Sequence, residues 1–428
     1  MDYKKPKGTK DIFNIESYKY EKTINILKRV SNNFNYEYIE TPIFEYTNLF
    51  NRIGESSDIV SKEMYTFKDK SNRSLTLRPE GTASATRLAA ENNLLNPKSN
   101  DHLKLFYIGD MFRYERPQSG RYRQFKQFGV ELYSKPSLSS DIEVVLMINS
   151  ILKEFNISNY KFIINSIGGE ESRKKYVDFI KKELGKNVNL LSDDSKVRIN
   201  SNPLRILDSK NKRDIELVNK LPSIYDFLSP EEKETFDKIC KFLDEYNIKY
   251  EIDHLLVRGL DYYNDFVFEV VDESNSSRTN SILGGGRYST LVKDISGFEL
   301  SSVGFAIGIQ RLINLVENNN PNFYNKEMKN LIYIAPLTEK SLLYSFTIRD
   351  LLIKEKFNVN FDLNFDMKMK YYFNKMDKLN PGWSILVGDK DSESNLVTVK
   401  NNLTKEIKEV KFNELKSTLT NLMRKNNG

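Results

Sequence analysis

Between Leu103 and Tyr133 the chain reads LKLFYIGDMFRYERPQSGRYRQFKQFGVELY. Alternating patterns on either side of a basic connector, Arg116 to Arg121, predict the two strands of a hairpin. Residues two apart share a face of a strand. Gly109, Arg113 and Glu115 therefore fall together on the first strand, and Arg123, Phe125, Gln127, Gly129 and Glu131 on the second. That face combines fixed charges, a flat ring, an amide and glycines that leave room for a bound molecule. A polar strand face is ordinarily just solvated. This one differs in setting bulky charge beside Gly and Phe rather than Thr, Lys and Ser. The opposite face, with Phe106, Ile108, Phe112, Phe128, Val130 and Leu132, is apolar and expected to be buried.

Other segments carry compatible chemistry. Glu80 and Thr82 follow the strand-like Leu75–Leu77 and precede a helix beginning near Ala83. A carboxylate and a hydroxyl so spaced can both accept from one ammonium group. Equally, they suit a helix N-terminus. Downstream, Leu255 to Asn264 runs from an apolar strand into Arg258, Gly259 and the pair Tyr262–Tyr263. The run Gly284-Gly285-Gly286 is by itself a weak sign of a phosphate cradle. Val303 to Val316 reads as a strand turning into a helix that carries Gln310 and Arg311 near its start.

Composition narrows the classes. Among 428 residues, 65 Lys and Arg stand against 59 Asp and Glu, so any polyanion must bind to local patches rather than to a global field. The single cysteine, Cys240, excludes an internal disulfide and a Cys-rich metal site. With only His102 and His254, a His-based metal cluster or nucleophilic triad is improbable. No apolar run reaches the ~20 residues of a membrane span. A polar N-terminus leaves no room for a targeting peptide, and the expected location is cytoplasmic. Phosphate-loop and long dinucleotide fingerprints are missing, as are HIGH-like and KMSKS-like segments.

The hairpin closely resembles the second signature motif of class II aminoacyl-tRNA synthetases in its histidyl form, FRxERPQxGRYRQFxQxGxE. The likeness continues through Lys7-Gly8-Thr9-Lys10-Asp11, the strand and proline at Tyr38–Phe44, the stretch 54–65, RPEGT at 78–82, RGLDYY at 258–263, GGGRY at 284–288 and the third motif around Arg311. It covers almost the whole chain. The resemblance implies an ATP-dependent histidine–tRNA ligase, with ATP as substrate, Mg²⁺, L-histidine, tRNA(His) and a homodimer built around Pro42. By the same resemblance, Arg113 and Arg258 bridge carboxylate and α-phosphate. Glu80, Thr82 and Gln127 hold the ammonium group, Gln127 counting with the two arginines as catalytic. Glu131 and Tyr263 select the imidazole, and Gly81 and Tyr262 belong to the same substrate site. Arg113, Glu115, Arg121, Phe125 and Arg311 take ATP, and Arg116, Gln118 and Arg123 the tRNA acceptor end. Gln310 replaces the family's usual Glu as a metal-facing group, and Ser289 stands where Asp is usual.

The expected fold is α+β: a class II antiparallel sheet with flanking helices over 1–322, and an α/β anticodon-binding domain over 323–428. Helices are expected at Tyr18–Phe34 and Ser139–Phe155, with a helical insertion at about 168–246. Lysines 174, 175, 181 and 182 there suit RNA or merely a solvated face. After the linker-like Asn318–Pro321, alternating strands and helices imply a small mixed sheet. There Lys368, Lys370, Tyr371 and Tyr372 suit an RNA loop, or the tyrosines fill the core. Threonyl, prolyl or glycyl synthetases, a histidine-sensing regulatory paralogue and a plain RNA-binding protein are the competing readings.

Overall fold

The computed structural model describes residues 3–51, 59–98, 101–116, 121–135, 137–274, 281–325 and 330–426. Contacts divide the chain into two units, Met1–Tyr324 and Asn325–Gly428. The division falls just after the 322/323 boundary expected, and packing explains it. Tyr324 is buried, its hydroxyl 2.8 Å from Thr23 Oγ1, and Phe323 lies against Phe155 at 5.7 Å between ring centres.

In chain order the strands of the first unit are β1 (Glu37–Tyr38), β2 (Phe44–Tyr46), β3 (Tyr65–Lys68), β4 (Ser74–Leu77), β5 (His102–Phe112), β6 (Gln124–Ser134), β7 (Tyr160–Ser166), β8 (Tyr250–Ile252), β9 (Asn264–Asp272), β10 (Ser281–Arg287) and β11 (Ser301–Gly308). Eight form one sheet in the order β1-β5-β6-β11-β10-β9-β7-β8. Its interior pairs are antiparallel, and the edge pairs β1·β5 and β7·β8 are parallel. A separate sheet, β2-β4-β3, is built from the strands that fall between β1 and β5 in the chain. The strand expected to be stopped by Pro42 ends earlier, at Tyr38, and a second short strand in the other sheet follows the proline. Proline has no N–H to give a ladder, and the carbonyls of Thr41 and Pro42 accept from Arg78 instead.

Both faces of the large sheet are covered. Phe106, Phe128, Val130 and Leu132 pack beneath the helices Ile15–Asn33, Leu138–Glu154 and Ile309–Asn319. Leu105, Tyr107 and Met111, from the other face, pack with the helix Thr82–Glu91 and with helices of the segment between β7 and β8. That segment is helical as expected. Its last helix, Pro230–Glu245, begins where Ser229 and Glu232 satisfy one another's backbone N–H groups and proline opens the first turn.

The second unit contains β12 (Leu331–Pro336), β13 (Asn358–Phe361), β14 (Trp383–Val387), β15 (Leu396–Asn401) and β16 (Ile407–Lys411). They form a mixed sheet in the order β13-β12-β14-β15-β16. Among the described residues no helix is long and apolar enough to cross a membrane.

Candidate active site

Register builds the site. Glu131 on β6 pairs across to Leu105 and Gly304, and Gly129 to Tyr107 and Ala306. The next strand adds Gly284 opposite Ala306, and β9 adds Glu269 opposite Gly284. Small residues thus floor a cavity of about 430 Å³ walled by carboxylates, arginines and tyrosines. The glycines do not stand empty. A Cβ at Gly129 would come within 2.1 Å of the Tyr107 ring, and one at Gly109 within 2.1 Å of Arg78 Nη2. The room expected there for a bound molecule is filled by the chain's own side chains, because neighbours distant in sequence fold back onto that face.

At one end, Glu131 is buried and accepts from Thr82 Oγ1 at 2.8 Å, Tyr107 Oη at 3.2 Å and Tyr288 Oη. Burial pushes its carboxyl up to about 8, against the pull of those hydroxyls. Glu80 is also buried. It accepts from the backbone N–H of Thr82 at 2.6 Å and Ala83 at 2.8 Å, so it caps the helix Thr82–Glu91. Burial raises its pKa while those N–H groups oppose the rise. Thr82, by contrast, turns its hydroxyl to Glu131 rather than to the helix. Tyr262 Oη approaches Glu80 at 3.5 Å, and the rings of Tyr262 and Tyr263 lie 4.7 Å apart. Among the described residues Gln127 Oε1 is buried with no hydrogen-bond partner, and Gln127 lines the cavity.

At the other end, cations gather. Arg113 donates to the Pro79 carbonyl at 2.8 Å and lies over Phe125, 5.3 Å from the ring centre. Arg311 donates to the Ser281 carbonyl at 2.8 Å. Burial depresses its pKa, and nearby Arg121 adds to the effect. Arg121 reaches Glu115 at 3.7 Å. Arg258 pairs with Glu269, in space that a side chain at Gly284 would occupy. Buried carboxylates and an orphan amide oxygen suit a cationic end of a ligand. Converging guanidinium groups suit an anionic one.

A family model described as Histidyl-tRNA synthetase matches residues 8–312, and one described as Anticodon binding domain matches residues 331–422. The chain belongs to the histidyl-tRNA synthetase family. It is 43% identical over 425 residues to the histidine–tRNA ligase of Malacoplasma penetrans (strain HF-2), covering 98% of each chain. To that of Bacillus subtilis (strain 168) it is 40% identical over 418 residues, covering 97% of each. The apo crystal structure of S. aureus histidyl-tRNA synthetase superposes with a TM-score of 0.81 at 32% identity, covering 97% of this chain and 99% of that one.

Within this synthetase fold, two residues that sequence reasoning did not single out surround Glu131. Tyr288 follows the glycine run directly, and Tyr107 occupies an odd position of the central strand. Both were within reach of the alternation argument, had hydroxyls been weighed beside charges. Lys210 and Asp208, from the helical segment, also line the cavity, and no local signal marked them.

The structure also places the other expected residues. The carbonyl oxygen of Gln310 accepts from Tyr20 Oη at 2.9 Å and its amide donates to Asn314 at 2.7 Å. Both ends of the amide are engaged by the protein, and Gln310, expected to face a metal, also lines the cavity beside Arg311. Arg123 lies over the Tyr114 ring at 3.9 Å and donates to the Glu115 carbonyl at 3.3 Å, bracing the hairpin base. Arg116 is exposed. Gln118 lies outside the described residues. Where Ser289 starts a helix, its backbone N–H is met by Asn264 Oδ1 at 2.7 Å.

In the second unit Tyr372 is fully buried and donates to the Pro336 carbonyl at 3.0 Å, so it is core rather than a stacking surface. Tyr371 is half-buried against Asp362 and Asn364. Lys368, Lys370 and Phe373 are exposed.

Proposed function

We propose that this chain is a histidine–tRNA ligase that activates L-histidine with ATP and passes the histidyl group to tRNA(His). The observation that carries the reading is one cavity with unlike ends, an unpaired buried amide oxygen and carboxylates facing a cluster of arginines. The histidine carboxylate attacks the α-phosphorus and pyrophosphate leaves. A terminal ribose hydroxyl of the tRNA then attacks the acyl carbon and AMP leaves. Arg113 and Arg258 hold carboxylate and α-phosphate together, so the gain comes from positioning and from neutralising developing charge. Phe125 and Arg311 enclose adenine, and Glu115 and Arg121 complete the ATP end. Gln127, Glu80 and Thr82 receive the ammonium group. Neutral imidazole offers one donor and one acceptor, which Glu131 and the hydroxyls of Tyr262, Tyr263 and Tyr288 read. A pocket of such buried polar groups rejects ligands that leave them unpaired, by roughly 10⁴–10⁵-fold in comparable sites.

Mg²⁺ bound with ATP would offset the phosphate charge. Among the described residues no three His, Cys, Asp or Glu side chains gather as a metal site. The carboxylates of Glu115 and Glu269 line the same cavity. These few hard oxygens fit an ion that keeps its waters and draws other ligands from phosphates, which is how Mg²⁺ binds.

A homodimer is part of the reading. Ile43, Phe44, Tyr46 and Phe67 are exposed around Pro42, an apolar surface of the kind that a second subunit covers. Light scattering should give twice the single-chain mass. Arg116 and Arg123 serve the acceptor end, and Lys368, Lys370 and Phe373 of the second unit serve the anticodon loop. ATP–pyrophosphate exchange with every standard amino acid tests the whole: histidine alone should support it. A histidine-sensing paralogue would bind histidine without exchange.

A further inference from the structure

The segment that carries Arg258, Tyr262 and Tyr263 has no ladder of its own, because residues 253–263 lie between strands. Its backbone carbonyls are instead held by side chains. Asn165 donates to the carbonyls of His254, at 3.3 Å, and Leu256, at 3.0 Å. From the helix Glu170–Gly185, Arg173 Nη1 donates to the carbonyls of Asp261 at 3.1 Å and Tyr263 at 2.9 Å. Asn202, after the helix Asp193–Ser201, donates to the Asp261 carboxylate. Tyr176, Ile180 and Leu184 of the Arg173 helix share a core with Val257, Tyr262 and Tyr263.

We infer that the helical insertion is part of the frame of the amino-acid pocket, and that Arg173 is the positioning residue through which it acts. One guanidinium grips two carbonyls that flank Tyr262. Fixing those two points fixes where Tyr262 and Tyr263 direct their hydroxyls. Burial works against the Arg173 charge, so the group stands where its donors are used rather than solvated. Lys174 and Lys175, its neighbours, are exposed and make no such contact with the segment. Arg173 does not touch the ligand space: it is absent from the lining of the main cavity, whereas Arg258, Tyr262 and Tyr263 line it. This inference rests on the histidine-pocket reading above, because the side chains it positions are those assigned to imidazole.

The test is histidine-dependent ATP–pyrophosphate exchange by the full chain, with hydrogen exchange of the 255–264 amides measured alongside. Arg173→Ala should raise the histidine KM about tenfold or more, the size expected when a charged donor is lost. The ATP KM should change little, and the 255–264 amides should exchange faster. Arg173→Gln, which keeps a donor for one carbonyl, should show a smaller rise, and added guanidinium should lower the KM of Arg173→Ala. A folded Arg173→Ala protein with an unchanged histidine KM overturns the inference, as do equal rises in both KM values. Should Arg173→Ala fail to fold, wild-type KM and amide exchange in Arg173→Gln overturn it. Absence of histidine-dependent exchange in the wild type instead defeats the functional reading itself.

Discussion

The Thr82 hydroxyl donates to the Glu131 carboxylate at 2.8 Å, joining the first turn of a helix to the middle of the central sheet. This bond ties the residue assigned to the ammonium group to the residue assigned to imidazole. Tyr107 and Tyr288 complete the ring of donors around the same carboxylate.

Glu131→Gln replaces a carboxyl that accepts from three hydroxyls by an amide whose NH₂ must face one of them. Tyr263→Phe removes a hydroxyl from the same wall. Each should raise the histidine KM roughly ten- to a hundredfold, about 1.4–2.8 kcal/mol, while the ATP KM stays within a factor of a few. Steady-state exchange kinetics with each substrate varied in turn checks this, and equal effects on both would remove the residues from the imidazole pocket.

Burial raises the Glu131 pKa from 4.5 to about 8, with hydroxyl donors pulling the other way. Between those values the folded protein keeps a proton that the unfolded chain has released. Stability from this group is therefore full below pH about 4.5 and lost as pH rises to about 8. Glu131→Gln removes the titration. The stability of wild type relative to the variant should fall across that window and level off above it, as measured by urea unfolding without ligand. A pH-independent difference would mean that the carboxylate is already ionised in the empty pocket.

Arg287 is bound to Asp141 through Nε at 2.8 Å and Nη2 at 2.5 Å, and Nη1 donates to Ser301 Oγ at 2.6 Å. Asp141 is wholly buried. Deleting the arginine strands that charge, so Arg287→Ala should cost about 3–5 kcal/mol. Adding Asp141→Asn should recover much of the loss. Denaturation of the single and double variants decides it, and additive losses would refute the pairing argument.

A chain ending at Tyr324 should retain histidine activation and lose most tRNA charging. Ending it at Pro321 would strip Tyr324 from Thr23 and destabilise the core. For the full chain, tRNA affinity should fall steeply with salt, because phosphate contacts release counterions. Undiminished charging by the folded Tyr324 truncation would remove the second unit from RNA recognition.

Sequence alone determined what depends on local periodicity. The alternation of the central hairpin put Gln127, Gly129 and Glu131 on one face, as the register bears out. The helical stripes gave Ile15–Asn33 and Leu138–Glu154 to within a few residues. These follow from backbone geometry, which each residue senses through its neighbours. Only the tertiary structure decided what meets across that face. Tyr107 and Arg78 fill the gaps at Gly129 and Gly109, Tyr288 reaches Glu131, and Tyr20 takes the oxygen of Gln310. Tyr372 sank into the core while Phe373 stayed outside. Such contacts join residues tens to hundreds of positions apart. They depend on which side chains close packing can seat together, and no local pattern encodes that.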